Sequence, residues 1–171
     1  MSNAANVLVS AMLRSWAMQR EYAGRLVADL REEEMVSQPV AGVVMNHPAW
    51  VFSHLSLYPP TLSAILRGAR EGEFADPIKS PFGKDSRPLA DAGAYASKDA
   101  LMAQFFDGHD ELAAVLGAVK PDALVQPIPL KRWEQRFPRV GDALVHLMLD
   151  HEAGHLGQVS AWRRAGGRAA V

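Results

Sequence analysis

Apolar residues recur at three- and four-residue intervals over four stretches of the chain, and the prolines stand mostly between those stretches. Proline lacks an amide donor and clashes with the preceding turn, so proline-free intervals outline helices. Residues 1–38, 89–120 and 139–171 contain none, and a further segment from Pro48 to about Arg70 is interrupted only by Pro59 and Pro60. The first stretch carries Leu8, Met12, Tyr22, Leu26 and Leu30, with Ser15 and Gln19 as polar members of the stripe. In the second, His47 is placed to cap a helix that begins at Pro48, and Val51, His54, Leu55, Tyr58, Leu62 and Ile65 form one face. The Pro59-Pro60 pair predicts a kink there. Ser97 caps the third, whose face is Leu101, Phe105, Leu112, Leu116 and Val119. The fourth runs Val140, Leu144, Leu147, Met148, His151, His155, Val159 and Trp162 and stops at Gly166-Gly167.

Alternation of the strand kind is weak. Residues 124–130 are the best stretch for extended chain, and Pro127 and Pro129 reduce it to an irregular strand or a loop. The expected fold is therefore all-α, a four-helix bundle forming a single domain over residues 1–171. Its long Pro/Gly-rich connections are at 71–96 and 120–138. The first is long for a bundle and is read as a crossover, a short extra helix or a lid.

Composition narrows the chemistry. With 18 basic and 19 acidic side chains, the net charge of −1 provides no field to attract nucleic acid or an anionic membrane. No stretch approaches the ~18 apolar residues of a membrane span, and Met1–Asn6 lacks the basic start of a secretory leader. A soluble, cytoplasmic protein is expected. The absence of cysteine removes disulfides, thiolate metal sites and a cysteine nucleophile. A metal would have to be held by His, Asp or Glu.

Three of the six histidines occupy positions where the apolar stripes place the core. His151 and His155 are one helical turn apart, a spacing that lets both imidazoles reach one ion. His54 holds the equivalent place on the second stripe. Unrelated core histidines, each hydrogen-bonded separately, are the alternative. Gly154 leaves room for an ion, water or substrate, or else marks tight helix–helix contact. His47 suits a capping or rim role. His109 lies beside the third stripe, as a support for the site or a surface residue, and His146 points away from the 151/155 face and is expected to be exposed.

His151-Glu152-Ala153-Gly154-His155 matches the zinc-protease pattern, in which the Glu is the general base. Such enzymes need a further ligand downstream, and residues 156–171 contain no Asp, Glu or His. Glu152, about 100° off the core face at one helix step, reads as a surface or inter-subunit acid, with use as a base on metal-bound water the lesser alternative.

At these residues the sequence resembles the DinB-like (damage-inducible) metal-binding proteins. The resemblance is carried by Asn46-His47-Pro48-Ala49-Trp50-Val51-Phe52-Ser53-His54-Leu55 and by His151-Glu152-Ala153-Gly154-His155-Leu156-Gly157-Gln158. A third segment is Ser160-Ala161-Trp162-Arg163-Arg164-Ala165-Gly166, whose glycine arrives one residue early relative to the family's closing run. Gly154 stands where relatives often carry a larger residue. The resemblance implies an antiparallel bundle with up-down-down-up order, a metal held by His54, His151 and His155, and a homodimer. It further implies that thiol-dependent transferases and isomerases are among the relatives.

Three neutral imidazoles leave an open coordination position, the arrangement of a catalytic site. The ion would acidify a water or a thiol, and any transferred sulfur must come from a low-molecular-weight thiol cosubstrate. Gln158, one turn past His155, is a candidate to hold that ring from behind, and Tyr58 a candidate to donate to a substrate oxygen. The ligand set suits Zn²⁺ or Ni²⁺, and also Cu²⁺ or Fe²⁺. The lack of an inward carboxylate counts against the two-His-one-carboxylate iron pattern. Two classes remain: a metal-dependent hydrolase or thiol-dependent transferase acting on a small molecule, and a non-catalytic metal-bearing bundle with a binding or stress-response role. A cleft reaching the open metal position favours the first, and a sealed metal the second. Arg163, Arg164 and Arg168 form a small C-terminal cluster, read as solvated or at a dimer edge.

Overall fold

A computed structural model describes residues 2–171, with side chains from residue 6 onward. The start of the expected first helix at residue 1 lies outside the described residues. The chain is all-helical, and no strand occurs among those residues. Helix α1 spans Ser2–Val27, α2 Pro48–Leu55, α3 Tyr58–Leu66, α4 Lys98–Ala118, α5 Val140–Val145 and α6 Glu152–Ala165. Between α5 and α6 the helix does not break. It widens into a π turn over His146–His151, and such turns concentrate at functional sites.

The caps fall where the sequence puts them. His47 accepts from the Trp50 amide at 3.3 Å ahead of Pro48, and Ser97 Oγ accepts from the Ala100 amide. The expected kink at Pro59-Pro60 is a full interruption. α2 ends at Leu55, and α3 starts afresh at Tyr58 with the prolines in its first turn, where their missing amides cost nothing. α1 ends at Val27, well inside the proline-free interval 1–38. Leu30, expected on its stripe, is buried from the turn that follows, and a 3₁₀ turn occupies Glu32–Val36. Leu8 is 66% exposed, while Leu26 of the expected stripe is buried together with Trp16, Ala23 and Val27, and Met12 and Tyr22 pack against the core.

α2 is buried on every side, so its hydrophobic pattern reports enclosure rather than one face. It packs on α4 and α6, while α1 packs on α4 and α6 and α3 packs on α4. One part of the core gathers Leu26, Phe52, Phe105, Leu156, Val159 and Trp162. Another joins Leu62, Leu112, Leu116, Leu144 and Met148 to Ile128 and Trp133 from the second connection. Residues 124–130 form only an isolated bridge, Pro127 to Arg139, and no ladder. Of the C-terminal arginines, Arg164 is exposed as expected, and the other two are not solvated. Arg163 is buried and donates to the Leu26 carbonyl at 2.8 Å and to Asp29, and Arg168 pairs with Glu34, so both tie the end of α6 to the end of α1.

Candidate metal centre

His54 on α2, His151 at the end of the π turn and His155 on α6 come together, with one ring nitrogen from each lying within 4.8 Å of the others. A tetrahedral ion with bonds of ~2.0–2.1 Å sets its ligand nitrogens about 3.3 Å apart, which this spacing allows with small side-chain adjustments. The environment orients the rings. His54 Nδ1 lies 2.7 Å from the Phe82 carbonyl, which can only accept, so Nδ1 carries the proton and Nε2 keeps its lone pair. His155 Nδ1 donates to Gln158 Oε1 at 2.9 Å, and that oxygen also accepts from Asn46 Nδ2 at 2.9 Å. Its Nε2 is free in the same way. His54 Nε2 and His151 Nε2 approach to 3.0 Å, a distance at which two lone pairs repel unless a proton or a cation lies between them. Outer-shell partners that fix the tautomer are what metal-ligating histidines ordinarily have.

Burial and the neighbouring imidazoles push His151 down from the usual 6.5 to about 3, and burial pushes His155 down to about 4. Burial also lowers His54, against the Phe82 carbonyl bond. All three rings are therefore neutral at pH 7 and offer lone pairs. Their Nε2 atoms find no carboxylate. His151 Nδ1 is buried with no partner and borders a small cavity of about 10 Å³ that Glu152 also lines.

The three rings stand at one side of an open cleft of about 510 Å³. Trp50, stacked on His54 at 4.9 Å, and Tyr58 border it beside the rings, and Trp133, Phe137 and Leu147 add apolar lining. The 71–96 connection supplies Pro77, Ile78 and Lys84. It contains no α-helix. Apart from two 3₁₀ turns it is an irregular wall that brings the Phe82 carbonyl to His54, the Leu89 carbonyl to His47 and the Ser86 hydroxyl to Trp50. Gly83, next to Phe82, is required there, since a Cβ would lie 2.8 Å from the Pro77 carbonyl oxygen.

Tyr58 lies in the cleft with its hydroxyl 3.4 Å from His54 Nε2, and burial pushes its phenol up to about 12, so it stays a proton donor. Glu152 is not a surface acid. It is 3% exposed, accepting from Trp16 Nε1 at 2.8 Å and bonded to His109 Nε2 at 3.0 Å. The 100° step off the core face is as expected, but α1 and α4 cover that side too. His109, 1% exposed and stacked on Trp16 at 3.8 Å, belongs to this sealed cluster rather than to the surface. His146 is half-buried and lines the cleft, its ring 6.2 Å from that of His151. An α-helix would separate residues five apart, whereas the i→i+5 spacing of a π turn sets them over one another. Gly154 is exposed and a Cβ there would meet nothing within 4 Å, which excludes tight helix contact. Asn46, the Phe82 carbonyl, His146 and Arg136 carry no signal in a helical pattern that would single them out.

A family model, described as the DinB superfamily, matches residues 15–159. The chain belongs to the DinB superfamily. No curated protein and no solved structure matches it. The match extends from mid-α1 through all three histidines, and it stops short of the Arg163-Arg164 run at the end of α6. Both segments that converge here, one ending in His54 and the other running from His151 to Gln158, lie within the matched range.

Proposed function

We propose that this DinB-superfamily protein is a metal-dependent enzyme acting on a small molecule, a hydrolase or a thiol-dependent transferase. His54, His151 and His155 hold one divalent ion, zinc or nickel. The observation that carries the reading is the convergence of three neutral imidazoles, two with tautomers set by the Phe82 carbonyl and Gln158, beside an open cleft. A metal serving only structure is closed off by its ligands, whereas all three rings here line accessible space.

The ion, when bound, supplies a Lewis acid that acidifies a water or thiol brought to its open position. The chain's own groups do the rest. Gln158 and the Phe82 carbonyl hold two rings in register. Tyr58, neutral at pH 7, donates to an oxygen of the substrate from within the cleft. Trp133 and Phe137 give the cleft an apolar lining. Glu152 faces away, bonded to Trp16 and His109, so the protease-like use of this residue as base is not part of the reading. The proposal includes an up-down-down-up antiparallel bundle, a cytoplasmic setting and a homodimer. The exposed Val7, Leu8 and Met18 of α1 support the dimer.

Elemental analysis of the purified protein should find about one divalent ion per chain, and His54→Ala, His151→Ala and His155→Ala should each lose it. Full metal content in those variants would overturn the site. A substrate screen with and without low-molecular-weight thiols separates the two reaction classes, because a transferase requires the thiol and a hydrolase does not.

A further inference from the structure

The cleft beside the three histidines carries cations and, among the described residues, no acid. Arg132, Arg136 and Lys84 line the cleft, and no Asp or Glu among the described residues does. Arg132 is spoken for, since Asp76 pairs with it from the neighbouring turn. Arg136 and Lys84 form no ion pair among the described residues. The guanidinium of Arg136 donates through Nη2 to His146 Nε2 at 3.1 Å and lies over the Phe137 ring at 5.4 Å. His146 can accept because Asp150, 3.6 Å from its other nitrogen, favours the proton there. The π turn is what turns His146 into the cleft, so the same backbone feature that ends at His151 also holds Arg136 one side chain away from it.

We propose that the cleft binds a small organic anion, its oxyanion group held by Arg136 and Lys84 and its flat or apolar body laid along Trp133 and Phe137. This rests on the metal reading only in placing the rest of the molecule toward the histidines; the anion subsite is built from other residues. An arginine fork suits a carboxylate or a phosphate, with lysine as a second point charge. The two free cations have no other counter-charge in the cleft, and an ion on three neutral ligands adds to the same field.

The test is calorimetric titration of the zinc-loaded and the metal-free protein with benzoate, phenyl phosphate and neutral benzyl alcohol. At least one of the two anions should bind both forms, and benzyl alcohol should bind about tenfold more weakly or worse. Arg136 is exposed, so Arg136→Ala leaves the fold intact. It should weaken anion binding about tenfold in both forms, leave benzyl alcohol unchanged and leave zinc content unchanged. Lys84→Ala should show a smaller loss, and His146→Ala a loss that added salt does not mimic, since it frees the guanidinium without removing its charge. The better of the two anions names the group as carboxylate or phosphate. Equal affinity of Arg136→Ala and the native protein for the anions, or no anion binding in either form, overturns the proposal. If zinc fails to bind while Arg136-dependent anion binding persists, the subsite stands and the metal reading fails.

Discussion

Adjacent residues of one helix, His151 and Glu152, enter two histidine clusters built on opposite principles. On one side, sealed from solvent, Glu152 accepts from Trp16 Nε1 and bonds His109 Nε2 through one oxygen, its other oxygen alone left without a partner. On the other, His54, His151 and His155 turn like atoms toward each other beside an open cleft. Buried polar groups that find complementary partners hold a fold together. Groups of one kind that converge without a partner, the far sides of two of them fixed by hydrogen bonds, are arranged for something that must come between them. Burial alone does not distinguish the two clusters, because all but two of the six rings and carboxylates involved are nearly inaccessible. Complementarity does.

The sharpest way to separate the clusters is to remove Glu152. Glu152→Ala leaves Trp16 Nε1 and His109 buried without an acceptor and should cost about 3 kcal/mol of stability in urea unfolding. The folded fraction should still take up zinc. Loss of zinc from a folded Glu152→Ala protein would show that the sealed cluster serves the ion as well.

Next in size is the effect of the ion itself. Zinc at a hundred times its dissociation constant should stabilise the native protein by about 2.7 kcal/mol, read as a raised melting temperature. His151→Ala and His155→Ala should show no rise, while their metal-free forms melt close to the metal-free native protein. A zinc-dependent rise in either variant would break the contrast between the clusters.

Acid should bring a further, graded effect. His151 and His155 titrate in the folded protein near 3 and 4, below the usual 6.5. Between those values and 6.5 the unfolded chain binds more protons, so stability rises with pH across that window. The metal-free protein should therefore lose stability progressively as pH falls from 6.5 toward 4. His151→Ala should make the profile shallower, leaving the part contributed by His155, His54 and His47, which burial also holds low. A profile in the native protein no steeper than in the variant would contradict the assignment.

The smallest effect is expected at Gly154, which lies in the same helix and belongs to neither cluster. With open space where a Cβ would stand, Gly154→Ala should stabilise the chain by about 0.5–1 kcal/mol, the ordinary helical preference. Destabilisation would mean that something packs there in solution.

Much of this was legible in the sequence. The proline map located the helices, His47 and Ser97 marked two starts, and three histidines on apolar stripes named the candidate ligands, because local capping and periodicity are written in adjacent residues. What failed did so through neighbours. Glu152 was placed outside by a helix drawn alone, yet α1 and α4 enclose it. His146 was turned outward by an α period that the π turn does not keep. Leu8 joined a stripe whose lower end no other helix covers.

The sequence by itself determined that the chain is helical, that any metal must rest on nitrogen or carboxylate ligands, and which histidines stand where a core should be. Spacing along a helix decides which residues share a face, and nothing distant can alter that. The tertiary structure alone decided which faces are covered. It also decided that a loop carbonyl at Phe82 sets the tautomer of His54, and that Arg136 and Lys84 face the same cleft as the three imidazoles. Those relations join residues far apart in the chain, and only packing brings them within the few ångströms over which hydrogen bonds and charges act.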